Sequence, residues 1–263
     1  RTTVNPFAVQ EIADALRGVD IPVMVKNPVN PDLPLWMGAL ERLNQVGITK
    51  LGAIHRGFSA YGETKYRNKP QWDIPIELKQ HLPTIPLVCD PSHICGRRDT
   101  LHIVAQKAMD LDFDGLMIES HITPDKALSD ARQQVTPERC AEILNSLVRR
   151  ETTSNDAVFQ HTLDDLRQQI DNIDLEILDV FAKRMEVATE IGRFKKANGI
   201  TILQAARWDK IIKSRSRVGV EKGLTADFIK DLYTAIHKES IRQQAKIMND
   251  TTVDKYLLEI GNK

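Results

Sequence analysis

Cysteine is scarce in this 263-residue chain, which holds only Cys89, Cys95 and Cys140. Three thiols so scattered cannot build a disulfide framework and lack zinc-finger spacing, so they read as structural residues of a reducing, cytoplasmic setting. Neither sign of charge is in excess, because 36 Lys and Arg meet 36 Asp and Glu. A nucleic-acid or anionic-membrane partner usually needs a basic surplus, and neither is expected. A long apolar run is also lacking, which excludes a membrane-spanning helix, and no secretory signal is visible. What is present is ordinary: 41% hydrophobic and 27% charged residues. That composition excludes disorder as the main state and, at this length, allows one or two domains.

Up to about Leu147, short apolar runs alternate with helical patterns. The runs are Ile21–Val25, Lys50–Ile54, Ile85–Cys89 and Gly115–Ile118. Each is too short for a helix and lacks polar alternation, as expected for strands buried on both faces. Helices are predicted near Pro6–Leu16, Leu35–Val46, Asp99–Leu111 and Thr136–Leu147. Strand and helix alternating at about thirty residues per unit means βαβ crossovers and a parallel sheet. The polar, patternless stretch 148–156 is a linker.

Each run is followed at once by polar residues: Lys26-Asn-Pro, His55-Arg-Gly-Phe, Asp90-Pro-Ser-His93 and Glu119-Ser-His121. One charged strand end means little, since every strand end reaches solvent. Four in succession point to a built face at the carboxyl ends of the strands. Arg1, Lys26, Arg56 and Arg67 suit phosphate and carboxylate groups. His93, Glu119 and Asp130 offer nitrogen and oxygen ligands to a divalent transition metal such as Mn2+, acting as a Lewis acid on a carbonyl.

These motifs, with Arg1-Thr, Tyr66-Arg-Asn68, Gly96-Arg-Arg98 and Ala127-Leu-Ser-Asp130, resemble the 3-deoxy-D-arabino-heptulosonate 7-phosphate synthases, in order across residues 1–147. The resemblance implies a (β/α)8 barrel that condenses phosphoenolpyruvate with erythrose 4-phosphate around a divalent metal. It implies metal ligation by His93, Glu119 and Asp130, and phosphoenolpyruvate contacts from Arg1, Lys26 and Arg67. Four strands are half of the ~250-residue barrel. The family's cysteine ligand and its Lys-Pro-Arg-Thr loop are expected upstream of Arg1, in a longer product, and residues 1–263 alone are expected to lack synthase activity and to expose strand edges.

Beyond the linker the strands stop. Leu163, Leu166, Ile170, Ile173, Ile177, Phe181, Ala188 and Ile191 make a helical stripe. One helix of nearly forty residues, about 55–60 Å long, is predicted over Phe159–Ala197, with shorter helices near Gln204–Ser216 and Thr225–Met248. So long a stripe needs a second copy to cover it. Arg184 and Lys195 fall within about 20° of one helix face, whereas Arg167 lies about 100° from Arg184. Ser240 and Gln244 form an i,i+4 polar pair, compatible with a plain exposed face.

Leu166-Arg-Gln-Gln-Ile, Arg184, Ile191-Gly-Arg-Phe-Lys195, Ile202-Leu-Gln-Ala-Ala-Arg207 and Ser240-Ile-Arg-Gln-Gln244 resemble the all-helical chorismate mutases over residues 160–248. The resemblance implies a three-helix domain that forms an interlocked homodimer with two sites and needs no cofactor. It implies chorismate contacts from Arg184, Lys195, Gln204, Arg207, Ser240 and Gln244, with Arg167 reaching into the partner's site. Trp208 stands where that family commonly has a glutamate, which puts the hold on the substrate hydroxyl in question. The whole is expected to be a bifunctional shikimate-pathway enzyme: a partial barrel over 1–147, the linker, helices over 157–250 and a tail from 251 to 263. The alternative expectation is that the helical part is a dimerising, chorismate- or prephenate-sensing regulatory module.

Overall fold

The structure, a computed structural model, describes residues 2–203 and 205–249. The expectations for Arg1, for Gln204 and for the tail from 251 to 263 therefore lie outside the described residues. The chain divides into two compact units, Arg1–Ser154 and Asn155–Lys263.

In the first unit β1 (Val23–Lys26), β2 (Leu51–His55), β3 (Leu87–Cys89) and β4 (Gly115–Leu116) make one parallel sheet in the order β1-β2-β3-β4. Around it run α1 (Pro6–Ala15), α2 (Leu33–Gln45), α3 (Asp73–His81), α4 (Pro91–Cys95), α5 (Leu101–Asp110) and α6 (Pro137–Ser146). A sheet that adds each strand on the same side, with a helix in every crossover, is a stretch of β/α barrel wall; a doubly wound sheet would reverse its order. One signal starts several of these helices. Asn5, Asp32, Asp90 and Thr136 each accept a hydrogen bond from a first-turn amide, and each is followed by proline in that turn. Two helices, α3 and α4, went unpredicted.

The two-residue period of the strands sorts the sheet into two faces. Val25, Ala53 and Leu87 are aligned in register, as are His55 and Cys89, and all five are buried. They pack with Trp36, Leu40, Leu78, Ile94 and Leu101 in one core. Their alternates, Met24 among them, face the other way. Met24 is 43% exposed, so burial on both faces, expected of every strand, fails at β1. The described helices cover only one face there.

The second unit consists of α7 (Ala157–Ala197), α8 (Ala205–Glu221) and α9 (Ala226–Asn249). Asp156 caps α7 through the Val158 and Phe159 amides. At 41 residues α7 is about 60 Å long. Its C-terminal part packs on α9 through Ala188 and Gly192, while α9 buries Ile229, Ile236, Ser240 and Gln244. The rest of the α7 stripe is largely left open by the described residues: Leu166, Ile170, Ile173 and Ile177 are 42–58% exposed. No helix among the described residues is long and apolar enough to cross a membrane.

Candidate functional site

In the first unit Lys26, Arg56 and Asp90 share the parity of the face turned away from the helices, at the carboxyl ends of β1, β2 and β3. Lys26 Nζ lies 2.8 Å from Asp90 Oδ2, and Asp90 is fully buried. Asp90 Oδ1 accepts the His93 backbone N–H at 3.0 Å, which starts α4. The same carboxylate stands 2.8 Å from His93 Nδ1. Burial pushes the Asp90 carboxyl up, but the His93 ring, Lys26 and the His93 amide outweigh it, and the group stays below its usual range.

With Nδ1 held, His93 Nε2 is aimed at Glu119 Oε1 and Asp130 Oδ2, 3.7 Å from each. One ligand atom from each of the three residues lies within 4.8 Å of the others. One imidazole nitrogen and two carboxylates, with the second ring nitrogen backed by a carboxylate, is a donor set that fits a divalent transition metal. Asp130 has φ 50°, a left-handed conformation that Asp tolerates better than most residues.

Arg67 borders the cluster, donating from Nη1 to Asp130 Oδ1 and to Gln133 Oε1, each at 2.8 Å. Its backbone is seated on α4, with the Arg67 and Asn68 amides donating to the Cys95 and Ile94 carbonyls. Gly96 (φ 65°) makes this possible, because a Cβ there would lie 2.5 Å from Arg67 Cβ.

His55 does not join the face expected for the strand ends. It is one residue out of parity with Arg56 and lies among Trp36, Phe58, Trp72 and Phe113, with ring centroids 5.3–6.4 Å away. Burial lowers its pKa to about 3, against smaller opposing effects of the Pro70 carbonyl and the Asp90 charge. It is a neutral core residue. His121 is likewise outside the cluster, its Nδ1 accepting the Thr123 amide.

Two site residues escaped the sequence reading. Buried Asn27 accepts the Arg56 amide at 2.6 Å and donates to the Gly57 carbonyl at 2.9 Å, fixing the loop that carries Arg56. Asn directly after a strand and before proline was the available signal. Gln133 donates from Nε2 to Glu119 Oε2 at 2.8 Å. Nothing in its neighbourhood distinguished it from Gln134.

In the second unit Arg184 Nη1 donates to Ser240 Oγ at 2.6 Å, and Ser240 Oγ donates to the Ile236 carbonyl. One turn on, Gln244 packs against Gly192, where a Cβ would come within 3.1 Å of its side chain. Ser240 and Gln244 are both buried, so the plain exposed face is ruled out for this pair. The Gln244 Oε1 atom is buried without a hydrogen-bond partner. Lys195 Nζ donates to the Ile202 carbonyl at 2.6 Å. Trp208 stacks on His237, with centroids 4.1 Å apart and planes 17° apart. Burial, and then the Arg184 charge, hold His237 below its usual pKa. Arg207 is exposed, and so is Arg167, which pairs with Asp164 at 3.2 Å. Seventeen residues of continuous helix separate Arg167 from Arg184, about 25 Å along the axis, which is beyond any side chain's reach.

The sequence profile of the DAHP synthetase I family matches residues 7–154, and that of chorismate mutase type II matches residues 166–245. The phospho-2-dehydro-3-deoxyheptonate aldolase of Thermotoga maritima is 28% identical over 127 residues, 48% of this chain and 37% of that protein. The "T-protein" of Haemophilus influenzae is 33% identical over 82 residues, 31% of this chain and 22% of that one. The isochorismate pyruvate lyase of Pseudomonas aeruginosa is 34% identical over 89 residues, 34% of this chain and 87% of its own length. The chain thus spans well under half the length of the first two of these relatives.

Proposed function

Because the chain belongs to the DAHP synthetase I family and carries a chorismate mutase type II unit behind it, both of them enzyme families, we propose a bifunctional biosynthetic protein. Its helical unit turns chorismate into prephenate, and its barrel unit serves the condensation of phosphoenolpyruvate with erythrose 4-phosphate. A cytoplasmic location accords with the three free thiols.

The observation that carries the mutase reading is the polar line Arg184–Ser240–Gln244 between α7 and α9, with Ser240 and Gln244 buried and Lys195 about three turns further along the same face of α7 as Arg184. The rearrangement is unimolecular and needs neither nucleophile nor general base. A site must hold a dicarboxylate in a compact chair and stabilise charge on the breaking ether oxygen. Arg184 and Arg207 clamp carboxylates, Ser240 positions Arg184, and Lys195 and Gln244 donate to the ether oxygen. Gln204 completes the substrate contacts. Arg167, about 25 Å from its own chain's Arg184, serves the site of a second copy. The exposed α7 stripe supports that homodimer.

In the barrel unit His93, Glu119 and Asp130 hold a divalent metal. When bound, the metal supplies Lewis-acid polarisation of a carbonyl. Asp90 orients the His93 ring, and Lys26, Arg56, Arg67 and Arg1 hold the phosphate and carboxylate groups of the substrates.

One observation favours a second reading. Trp208, stacked on His237, offers an aromatic face where a carboxylate is common, and this suits a module that senses chorismate or prephenate without turnover. Incubation of the full chain with chorismate, followed by absorbance and NMR, tests both. Loss of chorismate with appearance of prephenate supports the mutase. Saturable binding without loss supports the sensor and overturns the mutase.

A further inference from the structure

We infer that Gln133 is the positioning residue of the barrel unit's site, the neutral spacer that keeps Arg67 off Glu119 so that this carboxylate stays available to a metal. The inference rests on the metal reading of His93, Glu119 and Asp130.

Gln133 is 1% exposed, and both ends of its amide are committed. Nε2 donates to Glu119 Oε2 and Oε1 accepts from Arg67 Nη1, both at 2.8 Å. The same Arg67 nitrogen also reaches Asp130 Oδ1, so one guanidinium already holds one carboxylate of the cluster. A guanidinium beside two carboxylates tends to pair with both, and bidentate pairing competes directly with metal ligation. The Gln133 amide stands between Arg67 and the second of them. A side-chain amide offers a donor at one end and an acceptor at the other without adding charge. Its backbone is fixed as well. The Gln133 amide N–H donates to the Asp130 carbonyl at 3.0 Å, and Ser120 bridges to Val135 across the loop. Glu119 Oε1, the oxygen facing His93, is left clear of Gln133.

Outer-shell partners of this kind shift metal affinity by about 10–100-fold. The test measures Mn2+ affinity of the full chain by electron paramagnetic resonance of the free ion, with His93→Ala as the background. Gln133→Met, of equal length but without hydrogen bonds, is expected to bind Mn2+ about 10–100-fold more weakly. Gln133→Asn, which keeps the amide but falls one methylene short of spanning both partners, provides the same comparison with a milder change should the first variant not fold. The deciding arm adds Arg67→Met to the Gln133 variant. If Gln133 acts by restraining Arg67, the double variant regains most of the lost affinity, which a merely structural role would not produce. Affinity within twofold of the parent in a folded Gln133 variant, or a double variant as weak as the single, overturns the inference. A parent chain that binds Mn2+ no better than His93→Ala overturns the metal reading, and the inference with it.

Discussion

The barrel unit carries its own core and the helical unit does not. Among the described residues, every buried hydrophobic side chain lies in the first unit except Ala188, Ile229 and Ile236. The most enclosed positions of α9 include Ser240 and Gln244, both polar, while the apolar stripe of α7 is open along most of its length. The contrast is one of how chemistry is organised. A parallel sheet gathers residues distant in sequence, Lys26 with Asp90 and Arg67 with Asp130, at one end of its strands. A long helix does the reverse, holding Arg167 and Arg184 about 25 Å apart however the chain folds. A site needing both would be completed only by another chain, and such pairing would cover the stripe at the same time.

The most direct way to break this contrast is to mix chains. Arg167→Ala and Lys195→Ala should each lower mutase turnover by about 100–1000-fold, the usual loss when one preorganised donor is removed. Unfolded together in equal amounts and refolded, the two would pair at random, giving about half heterodimers. In each heterodimer one site collects both substitutions and the other neither, so activity should return to about a quarter of the parent's. A mixture that stays at background, with dimers confirmed by sedimentation, would show that Arg167 acts elsewhere.

Stability sharpens the same contrast. Trp36 is fully buried and its indole N–H donates to the Val25 carbonyl. Trp36→Ala should therefore cost the first unit about 3–5 kcal/mol at any protein concentration. Ile170 is 58% exposed within its own chain. Ile170→Ala should leave an isolated chain within about 0.5 kcal/mol, yet weaken the dimer by about 1 kcal/mol through lost apolar burial. Urea unfolding at two protein concentrations checks both, since only the helical unit's midpoint should move with dilution.

The acid limb of stability should come largely from one residue of the first unit. His55 has a pKa of about 3 in the fold against 6.5 in the open chain, so the unfolded chain takes up the proton first. Its contribution is complete above pH 6.5 and is lost as pH falls towards 3, at about 1.4 kcal/mol per unit. His55→Gln should flatten that slope, as followed by chemical unfolding between pH 7 and 4. An unchanged slope would mean that the proton uptake lies elsewhere.

These residues also show what could be read in advance. The strands, the long helix and the His93–Glu119–Asp130 set were legible because periodicity and motif order depend on neighbours in sequence. The helix α3 was not predicted, although its one proline, Pro75, stands in the first turn, where a missing N–H costs little. Short α4 was hidden inside Asp90-Pro-Ser-His93, whose Asp-Pro pair is itself a capping signal. His55 looked like a site residue by position and is core by parity; deciding it required the register with Cys89. The Gln133 role depends on contacts fourteen and sixty-six residues away, and no local pattern encodes those.

The smallest effect expected is an absence of one. Mutase turnover at saturating chorismate should vary by less than about twofold between pH 6 and 9, because the rearrangement moves no proton. Guanidinium groups keep their charge across that range. One titratable group that feels the Arg184 charge is His237, stacked on Trp208. Its ordinary pKa of 6.5 would bring a charge change into the window, but burial and then the Arg184 charge lower it. The ring is therefore neutral through most of the range. His237→Gln should accordingly leave the profile flat and turnover nearly unchanged. A bell-shaped profile that becomes flat in His237→Gln would make His237 a proton carrier. A rearrangement-only site would then be untenable.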